Sequence, residues 1–175
     1  QIKQGAMQTL LNPYENGRLK EGWEVKKLGE IGEIITGSTP STQIKEYWNG
    51  GIPWITPTDI SNEKNIHVSE REISVTGLKV TRKLPANTLL VTCIASIGKN
   101  AILRKTGACN QQINAIIPDE KINVDFLYYL MENSKQHLLS KAGITATLIL
   151  SKKEFSEMSF AIPLLEDQTR IATIL

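Results

Sequence analysis

The chain has 175 residues, with 20 Lys and Arg against 18 Asp and Glu, a net charge of +2, and 41% hydrophobic residues. That length and apolar content support one domain with a core able to fold without staples. No apolar run approaches the roughly 20 residues that a membrane span requires.

Ile2, Ala6, Met7, Leu10 and Leu11 form an apolar stripe at helical spacing, so the chain opens in a helix. That helix is too short to be stable without a partner or an upstream continuation. Asn12-Pro13 ends it and Glu15-Asn16-Gly17 supports a turn. Trp23, Val25 and Leu28 enter a strand predicted to continue through Ile31, Ile34 and Ile35. Gly37-Ser38-Thr39-Pro40-Ser41 breaks regular structure, and Ser41 or Thr42 is placed to cap a short helix through Tyr47-Trp48. Asn49-Gly50-Gly51 stops that helix, and Ile52 to Thr56 reads as a strand. Trp48 and Trp54, each beside a strand or a Pro, are predicted to fill core rather than stack on a ligand.

Ser74 caps a short helix over Val75 to Val80, and Pro85-Ala86-Asn87 makes a turn. Leu89 to Ile94 is a strand buried on both faces by its composition. Ser96 to Asn100 turns the chain, Ala101 to Leu103 returns as a hairpin, and Ile113 to Ile117 adds a further strand. Asn123 caps the clearest helix, with Phe126, Leu127, Leu130, Met131, Leu138 and Leu139 at helical spacing as far as Lys141, and Gly143 ending the run. Ser151 and Glu154 form a capping box. Phe160 to Ile162 is a last strand, and Pro163 begins a helix carrying Leu165, Gln168, Ile171 and Ile174. Helices cut at both ends read as a piece of a longer protein.

The charge is unevenly spread. From Ile73 to Pro118 there is no Asp or Glu, whereas Lys79, Arg82, Lys83, Lys99, Arg104 and Lys105 all fall inside that stretch. On charge alone this is either a solvated basic face or a face shaped to approach phosphates, where a carboxylate would repel the ligand. Asn100 and Asn110-Gln111-Gln112 add groups able to read base edges.

Catalytic patterns are weak. Asn12-Pro13-Tyr14 lacks the second Pro of the Asn-Pro-Pro-Tyr motif of amino-methyltransferases, and no Gly-rich cofactor loop precedes it. Asp59 and Asp119-Glu120-Lys121 lie on either side of the acid-free stretch, without the clustering a metal-dependent nuclease needs. His67 and His137 are isolated, and Cys93 and Ser96 have no base at a recognisable offset. No secretory pattern opens the chain, so Cys93 and Cys109 are expected as free thiols in a reducing cytosol. No catalytic, metal or cofactor set is expected.

An ordered series of motifs resembles the target recognition domain in specificity subunits of type I restriction-modification systems. Gly22-Trp23-Glu24-Val25-Lys26-Lys27-Leu28-Gly29-Glu30 is similar to that family's opening, and Gly37 to Thr56 with Asp59-Ile60 to its entry motif. Leu84 to Val91, Ile97-Gly98-Lys99 and Asn110-Gln111-Gln112 are similar to its central block, and Gly143 with Thr145 and Ser151 to its late loop. Ile162-Pro163 to Leu175 and Ile2 to Leu11 resemble the ends of conserved spacer helices. Two departures stand out. Pro163-Leu164-Leu165-Glu166-Asp167-Gln168 replaces the usual Pro-Pro-Leu-x-Glu-Gln, and Gly143 to Thr147 lacks a Gln often found after the Thr.

The expected fold is α+β: a twisted, mostly antiparallel sheet packed by one long helix, with helical stubs at both termini. The resemblance implies the end of a spacer helix at 1–14, a recognition domain at 15–163 and the start of a second spacer helix at 164–175. It implies a cytoplasmic, non-catalytic reader of one half of a bipartite duplex DNA site, acting with methyltransferase and restriction subunits that supply the chemistry. Lys79, Arg82, Lys83, Lys99, Arg104, Lys105, Gln111 and Gln112 are the expected DNA contacts. Ile2, Leu10, Ile171 and Ile174 are expected to pack the helical stubs. The competing reading is a protein–protein scaffold whose basic face is incidental.

Overall fold

A computed structural model describes residues 2–143 and 147–175. Helix α1 (Ile2–Leu10) is followed by a tight hairpin, β1 (Tyr14–Glu15) and β2 (Arg18–Leu19). Its turn is Asn16-Gly17, both at positive φ, which these two residues tolerate best. Strand β3 (Glu24–Lys27) and strand β4 (Gly32–Thr36) are separate. The single strand expected from Trp23 to Ile35 is interrupted by a 3-10 turn at Leu28–Glu30, where Glu30 Oε2 accepts the Lys27 backbone N–H at 2.6 Å. The turn lets the chain leave one sheet for another.

Strand β5 (Trp48–Ile55) begins earlier than expected. The helix foreseen from Ser41 or Thr42 shrinks to one 3-10 turn, Lys45–Tyr47, without a side-chain cap. Asn49-Gly50-Gly51 does not stop a helix; Asn49 and Gly51 have positive φ, and the strand slips register between Trp48 and Ile52. Then come β6 (Asn65–Ile66), β7 (Glu72–Ile73) and α2 (Val75–Lys79), whose cap is Ser74 Oγ accepting from Gly77 N. Strands β8 (Thr88–Thr92), β9 (Asn100–Leu103), β10 (Ala108–Cys109) and β11 (Ile113–Pro118) follow.

Helix α3 (Val124–Asn133) is capped by Asn123 as expected, but it ends short of Lys141. Ser134, at ψ 12, leaves the helical region and separates α3 from α4 (Lys135–Lys141). Asn133 and Ser134 are weak helix formers that compete for backbone hydrogen bonds. The bend still returns Leu138 to the core, which is why the apolar spacing looked continuous. Helix α5 (Lys152–Glu157) carries the foreseen capping box. Strand β12 (Ser159–Ile162) pairs antiparallel with β3, and α6 (Leu165–Ile174) starts two residues beyond Pro163.

The main sheet has the order β4-β11-β8-β9-β6, antiparallel except for the β6–β9 pair. Strand β8 is buried on both faces, and its alternation sorts two cores. Leu89 and Val91 meet Phe126, Leu127 and Met131 on the helical side, whereas Leu90 meets Ile55, Ile60 and Leu84 under the small sheet β10-β5-β7. Each such side chain fully buried contributes about 1.5–3 kcal/mol. The architecture is α+β, with two shorter helices in place of the one long helix. Cys93 and Cys109 are free thiols, both buried, and burial pushes them up to about 11 and about 12 respectively. No helix among the described residues is long and apolar enough to cross a membrane.

The terminal helices share one cleft, lined by Leu10 from α1 and by Ile171 and Ile174 from α6. Ile171 is buried, while Ile174 is 61% exposed and therefore packs little within this chain. The Ile2 side chain and Thr145 lie outside the described residues. Buried Gln168 ties α6 to α3: its Oε1 accepts from Asn123 N at 2.8 Å, and its Nε2 donates to the Lys121 and Pro163 carbonyls.

Candidate nucleic-acid interface

The register of the main sheet places Thr36, Ile113, Thr92 and Asn100 at one end, and Gly32, Pro118, Thr88 and Leu103 at the other. The first end carries a loop, residues 37–41, held from below by two indoles. Trp54 Nε1 donates to the Ser38 carbonyl at 3.0 Å, and Trp48 Nε1 to the Ser41 carbonyl at 3.0 Å. Trp54 is buried, as expected of a core residue. Trp48 is only half-buried, meets Trp54 edge-on at 5.2 Å, and carries the Arg71 guanidinium 3.9 Å from its ring centre. Strand pairing of β7 with β5 puts Arg71 there, and nothing local in Glu70-Arg71-Glu72 signals it.

The backbone of this loop lies against the segment before β11. Gly37 N donates to the Ile113 carbonyl at 3.1 Å and Ser38 N to the Cys109 carbonyl at 2.8 Å. A β-carbon at Gly37 would fall inside the carbonyl oxygens of Asn110 and Cys109, so only glycine permits the approach. Gly37→Ala should lower stability by about 1–3 kcal/mol through overpacking. A thermal melt checks this, and an unchanged melt would refute the packing argument.

That approach positions polar groups. Thr39 Oγ1 donates to Gln111 Oε1 at 2.6 Å. Asn110 is buried, and its side chain grips Gln112 twice, through the backbone N–H and through Oε1, both at 3.0 Å. Arg82 is exposed and its Nη1 donates to the Thr36 carbonyl at 2.5 Å, which sets its guanidinium at the same end. Lys79 and Lys83, also exposed, flank it at and just beyond the end of α2. Three of the eight expected contacts, Arg82, Gln111 and Gln112, therefore gather around this loop, and Lys79 and Lys83 neighbour Arg82 along the chain. Thr39 belongs with them, although the sequence had suggested only a structural break there.

The other three separate. Lys99 is exposed at the same end of the sheet but further across it, lining a cavity with Glu132 and Lys135. Arg104 follows β9 at the opposite end, with Lys105 exposed beside it. Each nitrogen of the Arg104 guanidinium donates one bond: Nε to Asn65 Oδ1 at 2.7 Å, Nη1 to Asn87 Oδ1 at 2.8 Å and Nη2 to Asp125 Oδ1 at 2.7 Å. Lys64 Nζ adds a second ion pair to Asp125 at 2.9 Å. Burial works to raise the Asp125 carboxyl, but hydrogen bonds and charge from Arg104 and Lys64 outweigh it and hold it below the usual carboxylate range. This is a structural knot joining β6, β9 and α3.

Carboxylates near the loop are employed locally. Asp59 Oδ2 accepts from Thr56 N at 2.8 Å and Oδ1 from Glu70 N at 2.8 Å, closing the turn after β5. Among the described residues no three His, Cys, Asp or Glu side chains gather as metal ligands.

The family model described as "Type I restriction modification DNA specificity domain" matches residues 20–175. The chain is 38% identical over 165 residues to the Type I restriction enzyme MjaIX specificity subunit of Methanocaldococcus jannaschii, covering 91% of this chain and 38% of that protein. It is 36% identical over 147 residues to the HindI specificity subunit of Haemophilus influenzae, covering 81% of this chain and 32% of that protein. The crystal structure of the HsdS subunit from Thermoanaerobacter tengcongensis shares the fold with a TM-score of 0.77 at 19% identity, over 99% of this chain and 41% of the other. The chain thus spans less than half the length of these relatives.

Proposed function

The chain belongs to the type I restriction modification DNA specificity family, and from that premise we propose that it reads one half of a bipartite duplex DNA site. The observation that supports this reading is the gathering of Arg82, Gln111 and Gln112 around the loop at one end of the main sheet, with exposed Lys79 and Lys83 beside Arg82 along the chain. Lys and Arg there hold phosphates, which position the domain, while the amides read base edges in the major groove. The chain performs no chemistry. Adenine methylation and ATP-dependent cleavage belong to methyltransferase and restriction subunits with which the full-length subunit assembles in the cytoplasm.

Residues 1–14 and 164–175 are the ends of spacer helices flanking a recognition domain at 15–163. Their shared cleft and the exposed Ile174 favour continuation of that helical pair outside the domain. The test is duplex binding by the full-length subunit assembled with its methyltransferase partner, measured across a salt series. Affinity should fall steeply with salt, by about 0.9 in the log–log slope for each phosphate contacted. Absence of duplex binding at low salt would refute the reading and favour the scaffold.

A further inference from the structure

Asn110 fixes which end of the Gln112 amide faces outward. The Asn110 side-chain atom that meets the Gln112 backbone N–H must be an acceptor, because a backbone amide only donates; it is Oδ1, at 3.0 Å. The other Asn110 atom is therefore Nδ2, a donor, and its partner on Gln112 must be an acceptor: Oε1, at 3.0 Å. Inverting the Gln112 amide would set two N–H groups against each other. Asn110 cannot invert to accommodate it without losing the backbone bond, and it is only 7% exposed.

The outward atom is consequently Gln112 Nε2. Among the described residues, the only buried polar side-chain atoms without a partner are Ser38 Oγ and Asn100 Oδ1. Gln112 Nε2 has no partner among the described residues and is not one of those buried atoms, so it meets solvent. Gln111 differs. Its Oε1 is held only by the Thr39 hydroxyl, which donates or accepts by rotating, so that amide is free to present either end.

We propose that Gln112 is a donor-only reader that selects a keto base, guanine or thymine, at one position of the half-site. In the major groove guanine offers O6 and N7 and thymine offers O4, all acceptors, whereas cytosine offers the N4 amino donor and adenine sets an N6 amino donor beside its N7 acceptor. A locked amino group aimed at the exocyclic position bonds O6 of guanine or O4 of thymine and meets N6 of adenine or N4 of cytosine donor to donor. The inference rests on the DNA-reading function proposed above and adds the base class and the residue that sets it.

The test is the base profile of duplexes selected from a randomised pool by the full-length subunit assembled with its methyltransferase partner. The parent should show one position with a keto preference, on the order of tenfold, that Gln112→Ala abolishes. Asn110→Asp keeps an acceptor for the backbone N–H and supplies a second for Nε2, so the Gln112 amide inverts and exposes Oε1. The preference at that position should then switch to adenine or cytosine. Gln112→Glu presents an outward oxygen without touching Asn110, and should produce the same switch where Asn110→Asp does not fold. Selection that persists with every position unchanged in Gln112→Ala would overturn the inference and leave the DNA-reading function standing. Loss of preference at an adenine or cytosine would also overturn it. A parent that selects no sequence at all would overturn both.

Discussion

Arg104→Ala should melt about 4–8 °C below the parent chain while leaving the sequence preference and salt dependence of DNA binding unchanged. The guanidinium makes three hydrogen bonds to three separate segments, at Asn65, Asn87 and Asp125. Its side chain is 21% exposed and that of Asp125 29%. Truncation leaves a half-buried carboxylate with Lys64 as its one remaining ion-pair partner among the described residues, and two amide oxygens to be rehydrated. Hydrogen bonds to charged groups contribute about 1.5–3 kcal/mol each in favourable settings. Water reaches this network and reclaims much of that, so a net loss of about 2 kcal/mol is expected. In a chain of this size each kcal/mol moves the midpoint by about 2–4 °C.

A pH series separates this role from a simple packing defect. The Asp125 carboxyl sits below its ordinary value in the folded chain. A depressed carboxylate stabilises above the unfolded value of about 3.9 and loses that contribution as pH falls through the folded value. Arg104→Ala removes the stronger of the two groups that lower it. The stability difference between parent and variant should therefore be full near neutrality and shrink in acid below about pH 4. A difference that persists undiminished there would show that the ion pair is not its source. Loss of DNA affinity with an unchanged melt would return Arg104 to the interface.

The elements that were legible in the sequence are those whose cause is local. Ser74, Asn123 and the Ser151–Glu154 box cap helices through atoms three residues away. Strand β8 announces itself by composition because it is covered on both faces. The misjudged boundaries have non-local causes. Strand β3 turns at Leu28 because its partner is β12, near the far end of the chain, while β4 pairs with β11. The Trp48 backbone extends as a strand because β7 lies beside it and its indole is pinned to Ser41.

The site divides along the same line. An acid-free stretch was visible as a run of residues, but a run is not a face. Arg82 and Arg104 are both basic and lie in that run, yet sheet register sends one to the loop and the other to the opposite end. The partners that occupy Arg104 come from residues 65, 87 and 125, a combination no local pattern predicts. The Gly37 to Thr56 motif was likewise expected only to break regular structure and to fill core with its two indoles. It is a frame, through Trp48 and Trp54, but what it frames includes Thr39 against Gln111.

The triple variant Lys79→Ala, Arg82→Ala, Lys83→Ala should bind duplex DNA on the order of 10³-fold more weakly at physiological salt, from charge-assisted bonds of about 1.5 kcal/mol each. All three side chains are exposed, and none forms an ion pair within the described residues. Among the described residues, of these three only Arg82 has a structural tie, the bond from Nη1 to the Thr36 carbonyl, which leaves its other N–H groups for an anion. Stability should therefore change little, since surface substitutions of this kind stay within about 0.5 kcal/mol. The diagnostic is the salt dependence. Each phosphate left unneutralised takes about 0.9 from the log–log slope, so the three substitutions together make it shallower by about 2.7. Base preference should stay as it is, because phosphates carry no sequence. Lys105→Ala provides the internal control. It removes the same charge from the same acid-free run, but at the opposite end of the sheet, and should leave the slope unaltered. Equal effects from Lys105 and Arg82 would mean that net charge rather than this end of the sheet draws the DNA. No effect from the triple variant would make the basic cluster incidental and leave the protein–protein scaffold as the better account.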